Sequence, residues 1–289
     1  MPYIHTSRFQ VRHYECDYFG RLRPATLLGY LQEAAFDASA AVGYSATRYD
    51  EIGFQWFAYE TQLTVLRPLH YGDQVEVRTW IHDFRRVRSL RQYEVYLNSE
   101  LVAHAETDWV FINTQTLYPT TIPPEIVEAY SRGDEVLPAE PRPPFPSFPQ
   151  TPAQVSTVQR TVELRDLDPA KHVNNAVYLQ IALEAEQQTL AAQGWTLPRF
   201  DEAGVALALK QARIEYKLAA VWGDRLDIDT WAYDVTSEEG LRAFLIKRAS
   251  DGKVLARVLT AWGFVDAASG QAVTGPAAFL QAMQSGGAG

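Results

Sequence analysis

Between residues 89 and 97 apolar and polar side chains alternate. Tyr93, Val95 and Leu97 fall on one side and Gln92, Glu94 and Tyr96 on the other, the period of two that a half-buried antiparallel strand requires. Upstream, Leu27, Leu28, Leu31, Ala34, Ala35, Ala38 and Val42 recur at helical spacing. Pro24 suits the first turn of that helix and Gly43 its C-terminal stop. Read the same way, the first half predicts a short strand at 9–14, this helix, long strands at 55–66, 74–84, 89–97 and 101–112, and a short helix at 124–130. The second half repeats the series. It predicts a strand at 158–164, a helix at 176–193 capped by Asn174 or Asn175 and ended by Gly194, strands at 206–216, 225–235, 241–248 and 254–265, and a helix at 277–284.

The repetition extends to residue identities. A shift of 151 residues lays Asp17 on Asp168, Glu33 on Glu184, Gly43 on Gly194, Gly72-Asp73 on Gly223-Asp224, Thr79-Trp80 on Thr230-Trp231 and Leu90-Arg91 on Leu241-Arg242. After two extra residues near Asp251-Gly252, Trp109 matches Trp262 and Pro123 matches Pro276. Seven of the sixteen prolines lie between Leu137 and Pro152, and a stretch so poor in amide donors reads as a semi-rigid tether. The expected organisation is therefore a first domain at 1–136, a linker at 137–154 and a second domain at 155–289. One long helix followed by four antiparallel strands, twice, is an α+β pattern in which each sheet can wrap a central helix and the two copies can pair as a pseudo-dimer.

Composition narrows the function classes. Hydrophobic residues make up 47% of the 289, which excludes a disordered chain. A net charge of -9 argues against general nucleic-acid binding, which needs a surplus of Lys and Arg. The single cysteine, Cys16, excludes an intrachain disulfide framework and fits a reducing compartment. There is no signal-peptide pattern at the N-terminus and no apolar run of the roughly 20 residues a bilayer span needs, so a cytoplasmic location is expected. No nucleophile elbow, HExxH, CxxC, GxGxxG or Walker loop occurs, and no metal or cofactor is expected.

What stands out is the segment Asp168-Pro169-Ala170-Lys171-His172-Val173-Asn174-Asn175, which brings a carboxylate, an imidazole and two amides to a helix start. Amides at a helix N-terminus favour a developing oxyanion, and a carboxylate beside an apolar acyl chain can deprotonate water or attack a carbonyl directly. Asp168 is thus the candidate base or nucleophile, with His172, Asn174 and Asn175 orienting water or substrate. Each also has an ordinary structural use as a cap, a turn residue or a buried histidine. Cys16 closes a strand with no histidine nearby in sequence and reads as packing.

The string D-x-x-x-H-V-N-N-x-x-Y at Asp168–Tyr178 resembles the signature of hotdog-fold thioesterases, especially the acyl-acyl carrier protein (ACP) thioesterase family and its 4-hydroxybenzoyl-coenzyme A relatives. In the first half, Leu31-Gln32-Glu33-Ala34-Ala35, Arg67-Pro68, Gly72-Asp73 and Thr79-Trp80 are similar to the amino-terminal hotdog of that family. The resemblance implies a tandem hotdog that hydrolyses fatty acyl thioesters of carrier protein or coenzyme A, as a monomer or homodimer. Asp168, His172, Asn174 and Asn175 would take the family's site positions. Two departures matter: Ala170 stands where the family usually has Asn, and Ala219-Ala220 where it has Glu, often followed by Cys. An Asn-His-Cys mechanism is therefore not expected, whereas an Asp168-centred water attack survives.

The internal repeat lays His172 on Arg21, Asn174 on Arg23 and Asn175 on Pro24, so one site in the second copy and a decayed one in the first are expected. Asp17 is the alternative catalytic aspartate, because Y-x-x-x-D strings like Tyr14–Tyr18 also occur in coenzyme A thioesterases. Phe54, Trp56, Phe57 and Tyr59 are candidates to wall an acyl tunnel, or equally to form ordinary core. Arg85, Arg86 and Arg88 with Arg91 are the best local cationic cluster for an anionic carrier protein or coenzyme A. The rival functions are a hotdog hydratase or dehydratase, whose G-D-x-N-P-x-H setting is absent here, and a non-catalytic acyl-binding module.

Overall fold

The computed structural model describes residues 3–131, 143–152 and 155–285. The chain divides into two compact units, one of Met1–Cys16 with Thr26–Pro144 and one of Asp17–Ala25 with Phe145–Gly289. In the first unit strand β1 (His5–Gln10) runs through a 3-10 turn (His13–Glu15) to helix α1 (Pro24–Ala41) and the short helix α2 (Ala46–Ile52). Strands β2 (Phe54–Val65), β3 (Gln74–Phe84), β4 (Arg88–Leu97) and β5 (Glu100–Asn113) follow, then α3 (Pro124–Ser131). The second unit repeats the series as β6 (Ser156–Thr161), a 3-10 turn (Leu164–Asp166), α4 (Asn175–Ala192), α5 (Leu197–Glu202), β7 (Val205–Tyr216), β8 (Arg225–Tyr233), β9 (Glu239–Arg248), β10 (Val254–Asp266) and α6 (Ala277–Ser285).

Strand order is also duplicated: β1-β3-β4-β5-β2 in the first unit and β6-β8-β9-β10-β7 in the second, with each of these pairings antiparallel. The helix faces explain why the sheets curve. In α1 the buried residues come in near-adjacent pairs at every turn (Leu27/Leu28, Tyr30/Leu31, Ala34/Ala35, Ala38/Ser39), a stripe too broad for a flat sheet to cover. Helix α4 buries Ala176, Leu179, Ala182, Ala185 and Leu190 among others and lies against β6, β7, β8 and β10. The small alanines let the strands come close. On β4 the expected alternation holds, with Tyr93, Val95 and Leu97 buried and Gln92, Glu94 and Tyr96 half-buried.

Small backbone details repeat as well. Val11 N–H donates to Asp73 O and Gly72 N–H to Val11 O; the same bonds join Val162, Asp224 and Gly223. A bulge places Tyr59 out of register on β2 and Lys210 out of register on β7, at matched positions. The hairpin between β4 and β5 is a two-residue turn with positive φ at Asn98 and Ser99. Its counterpart between β9 and β10 holds the two extra residues, with Gly252 in the left-handed region.

Three expectations need correction. The short helices α2 and α5 fall where no element was expected. The signals were present: Ser45 caps α2, accepting from Arg48 N–H, Gly53 ends it at positive φ, and Pro198 sits in the first turn of α5. The expected tether is not uniform. Residues 137–142 and 153–154 lie outside the described residues, but Phe145 sits under the guanidinium of Arg257 at 4.9 Å and Phe148 meets Trp231 edge-on at 5.5 Å, so aromatic contacts hold this stretch to the second unit. Lastly, Asp17–Ala25, expected in the first domain, groups with the second unit.

The second unit also buries an ion pair. Glu186 of α4 and Arg242 of β9 are 5% and 2% exposed, with Oε1 and Nε 3.0 Å apart. Burial pushes the carboxyl up and the guanidinium down, each against the pull of the other. Removing one partner strands a charge in the core, so Glu186→Ala should cost about 3–5 kcal/mol in urea denaturation, and adding Arg242→Met should recover most of it.

Candidate active site

The second-copy loop is built to present Asp168. Asp166 is buried, accepting from Arg160 Nη2 at 2.7 Å and from the Glu163 amide at 2.8 Å, which anchors the 3-10 turn. Beyond it the chain turns back on itself: Asp168 N–H donates to His172 O, Asn174 N–H to Asp166 O and Val173 N–H to Ala220 O. Lys171 makes the tight corner at φ 66°, a conformation non-glycine residues seldom adopt. The loop then enters α4 directly.

Asn174 is the N-cap of that helix. Its Oδ1 accepts from Ala176 N–H at 2.9 Å, and its Nδ2 lies 3.4 Å from Asp168 Oδ2. The other carboxylate oxygen accepts from the Ala170 amide at 3.0 Å and lies 3.7 Å from His172 Nδ1. That ring nitrogen is 3.2 Å from Val173 O, an acceptor that favours the tautomer with its proton on Nδ1. Asp168 and His172 side chains are 18% and 15% exposed, sheltered yet reachable. Asn175 opens the helix and contributes its carbonyl to the Tyr216 hydroxyl at 3.2 Å. The structure thus gathers Asp168, His172 and Asn174 into one cluster, with the Asn175 backbone beside it.

Sequence reasoning gave no role to Tyr178, one turn into α4. Its hydroxyl accepts from Ala220 N–H at 3.0 Å and lies 3.4 Å from Leu218 O, and burial pushes it up to about 12. The backbone of Ala219–Ala220, where side-chain chemistry is lacking, is therefore fastened to the site loop. Tyrosine one turn after the capping asparagine was the visible signal.

Asp17 has a different environment. Its Oδ1 accepts from the amides of Phe19 and Arg21, both at 2.9 Å, and its Oδ2 from Arg21 Nε and Nη2 at 3.2 and 3.1 Å. Arg21 Nη2 also donates to Leu207 O, Tyr18 bonds Asp201, and Phe19 packs on the aromatic cluster of Trp195, Phe200, Trp262, Phe264 and Phe279. The first-copy loop packs on this cluster and ties Asp17 to Arg21. Its sequence signal was the Asp17/Arg21 spacing, the same four residues that separate Asp168 from His172.

The candidate substrate contacts diverge. Trp56 packs on Phe111 at 4.8 Å and, with Phe54, joins the cluster of Tyr49, Phe111, Ile122, Ile126 and Tyr130. Tyr59 does not join that cluster, because the bulge turns it outward beneath Arg88, 4.0 Å from its ring. Phe57 is half-buried on the same strand. Arg88 is paired with the buried Asp108 and is committed within the sheet. Arg86 is exposed beside Thr121, and the Arg85 amide closes the turn to Arg88 O. Cys16 Sγ lies 3.7 Å from Arg12 O.

Comparison with known proteins matches residues 2–130 to the acyl-ACP thioesterase N-terminal domain and residues 162–283 to the thioesterase-like superfamily. Similar curated proteins include oleoyl-acyl carrier protein thioesterase 1, chloroplastic, of Arabidopsis thaliana, 25% identical over 64% of this chain and 55% of the relative. Another is a chloroplastic palmitoyl-acyl carrier protein thioesterase of Gossypium hirsutum, 26% identical over 63% of this chain and 47% of the relative. The chain spans about half the length of these curated relatives. Among solved structures, one assigned as an oleoyl thioesterase from Lactobacillus plantarum superposes with a TM-score of 0.79 at 20% identity, covering 95% of this chain and 98% of that one. The 12:0-ACP thioesterase from Umbellularia californica gives 0.69 at 20% identity, covering 90% and 96%. These likenesses establish the fold as two hotdogs in tandem.

The double use of Asn174 is testable. Asn174→Ala should lower stability by about 1 kcal/mol through loss of the cap, and Asn174→Ser, which caps equally well, should restore it; urea denaturation of the two variants measures both.

Proposed function

We propose that this chain, which belongs to the acyl-ACP thioesterase family, hydrolyses fatty acyl thioesters at Asp168. The observation that carries the reading is the contrast between the two matched aspartates. Asp17 accepts two amides and a two-pronged guanidinium, which occupy its acceptor sites, whereas Asp168 accepts one short backbone bond and one long amide contact at the start of a helix. A carboxylate has about four acceptor sites, so Asp168 can still take a water proton.

In this mechanism Asp168 removes that proton as the water oxygen attacks the thioester carbonyl. Negative charge collects on the carbonyl oxygen, the C–S bond then breaks, and the thiolate leaves and is protonated, releasing a free fatty acid and the carrier thiol. Asn174 occupies the amides of Ala176 and Val177, so the Asn175 amide is the helix-start donor assigned to the oxyanion, assisted by the dipole of α4. His172 orients the water, and Asn174 holds the carboxylate. With alanine at 219 and 220 the route needs no thiol.

Carrier protein is the proposed donor, by analogy with the named relatives, and coenzyme A the second. No helix among the described residues is long and apolar enough to cross a membrane. The single cysteine supports a reducing setting, and the cytoplasm is the proposed one.

Steady-state hydrolysis of acyl-ACP and acyl-coenzyme A substrates tests the assignment. Asp168→Ala should lower kcat by about two orders of magnitude or more and His172→Ala by less, while Asp17→Ala should act mainly on stability. A large kcat loss in Asp17→Ala with an active Asp168→Ala would move the chemistry to the first copy. Conversion of enoyl thioesters, followed by ultraviolet absorbance, would favour the hydratase instead.

A further inference from the structure

Each copy buries a carboxylate in the 3-10 turn before its long helix, Glu15 in the first and Asp166 in the second, at 7% and 3% exposure. Both close the turn in the same way: Glu15 Oε2 accepts from the Arg12 amide and Asp166 Oδ2 from the Glu163 amide, each at 2.8 Å. Their side-chain partners differ. In the first unit the Tyr30 hydroxyl of α1 donates to Glu15, the Tyr30 ring stacks on Phe9 of β1 at 4.6 Å, and the exposed Arg12 guanidinium lies 3.7 Å from Oε1. In the second unit Ile181 stands at the tyrosine position and Arg160 of β6 at the phenylalanine position, and Arg160 Nη2 donates to Asp166 Oδ1 at 2.7 Å. A hydroxyl from the helix does in one copy what a guanidinium from the strand does in the other.

Arg160 is placed to hold more than a turn. Its side chain is 16% exposed, and its Nε lies 3.7 Å from Glu184 Oε2, two turns along α4. The guanidinium therefore joins the site loop to a strand on one side and to the helix on the other. From Asp166 the path continues to the carboxylate of the site: Asp166 O accepts from the Asn174 amide at 2.9 Å, and Asn174 Nδ2 lies 3.4 Å from Asp168 Oδ2. A contact of that length is near the limit of a hydrogen bond, so it lasts only while Asn174 is held in place.

We infer that Arg160 is a positioning residue for the hydrolysis: by clamping Asp166 it fixes Asn174, and through the Asn174 side chain it sets the direction in which the Asp168 carboxylate meets the attacking water. Arg160 acts through these residues and not on the thioester itself. A charge-assisted bond is about twice as strong as a neutral one, and a reacting group displaced by about 1 Å can lose about a hundredfold in rate, so the clamp governs the rate as well as the fold of the loop. The inference rests on the assignment of Asp168 as the base.

Steady-state hydrolysis of acyl-ACP and acyl-coenzyme A substrates tests this role, with rates expressed per folded molecule from circular dichroism. Arg160→Met should lower kcat about tenfold while KM changes by less than about twofold, and Asp166→Asn, which keeps the shape of the carboxylate, should do the same. Arg160→Lys retains one cationic donor for the one short bond to Asp166 and should recover most of the loss. In an Asn174→Ala background Arg160→Met should change kcat by less than about twofold, because the link it acts through is gone. Glu186→Ala loosens the core of the same unit elsewhere; it should lower the melting temperature yet keep kcat within about twofold, which separates lost positioning from general loosening. Wild-type kcat in both Arg160→Met and Asp166→Asn, a full effect of Arg160→Met beside Asn174→Ala, or an equal loss in Glu186→Ala overturns the positioning role; with Asp168→Ala inactive, the thioesterase reading then stands. Hydrolysis that survives Asp168→Ala, or none by the wild type, overturns that reading and this role with it.

Discussion

A helix that buries residues at every turn along its eighteen residues must be enclosed, and the rest of each unit follows from that requirement. An antiparallel sheet with one apolar face can enclose it only by curving, with alanines on the helix where strands approach most closely. Enclosure has a second effect. The helix start is held at the rim by the loop that leads into it, so the amides that lack partners there and the residues just before them form the natural place for polar chemistry.

Two copies of this scaffold put the same positions to different uses. At the helix start, Asp168 sits among weak and few partners, whereas Asp17 is held by a guanidinium and two amides. In the core the asymmetry runs the other way: Arg242 is paired with a carboxylate, and none among the described residues pairs with Arg91. One unit thus holds a lightly bonded carboxylate over a charge-paired, aromatic interior. The other buries a guanidinium beside hydroxyls, Arg91 with Thr79 and Tyr130. Because backbone bonds such as Val11 with Asp73 and Val162 with Asp224 are kept in both, the differences belong to side chains at a handful of positions.

Much of this was legible in the residues. The long helices and strands showed through their periods because each has one face in the core, and the repeat showed through glycines and aspartates that make the same turns twice. The short helices α2 and α5 were missed because six or seven residues give too little periodicity, and their capping residues serve turns as readily as helices. The loop Asp168–Asn175 stood out because carboxylate, imidazole and amide at a helix start are a local pattern. The clamp on Asp17 was only half legible: Arg21 was seen at the place of His172, but the direction of its side chain was not.

By itself the sequence determined the tandem architecture, the family resemblance and the residues of the candidate site, all of which rest on periodicity and on patterns of residues close along the chain. Only the tertiary structure decided which aspartate keeps acceptor capacity, that Arg88 is spent on Asp108, that Tyr59 turns outward, and that Arg242 is paired with Glu186 in the core. Those outcomes depend on side chains meeting across strands and between helix and sheet. Such meetings are set by register, bulges and burial, and no local pattern of residues carries them.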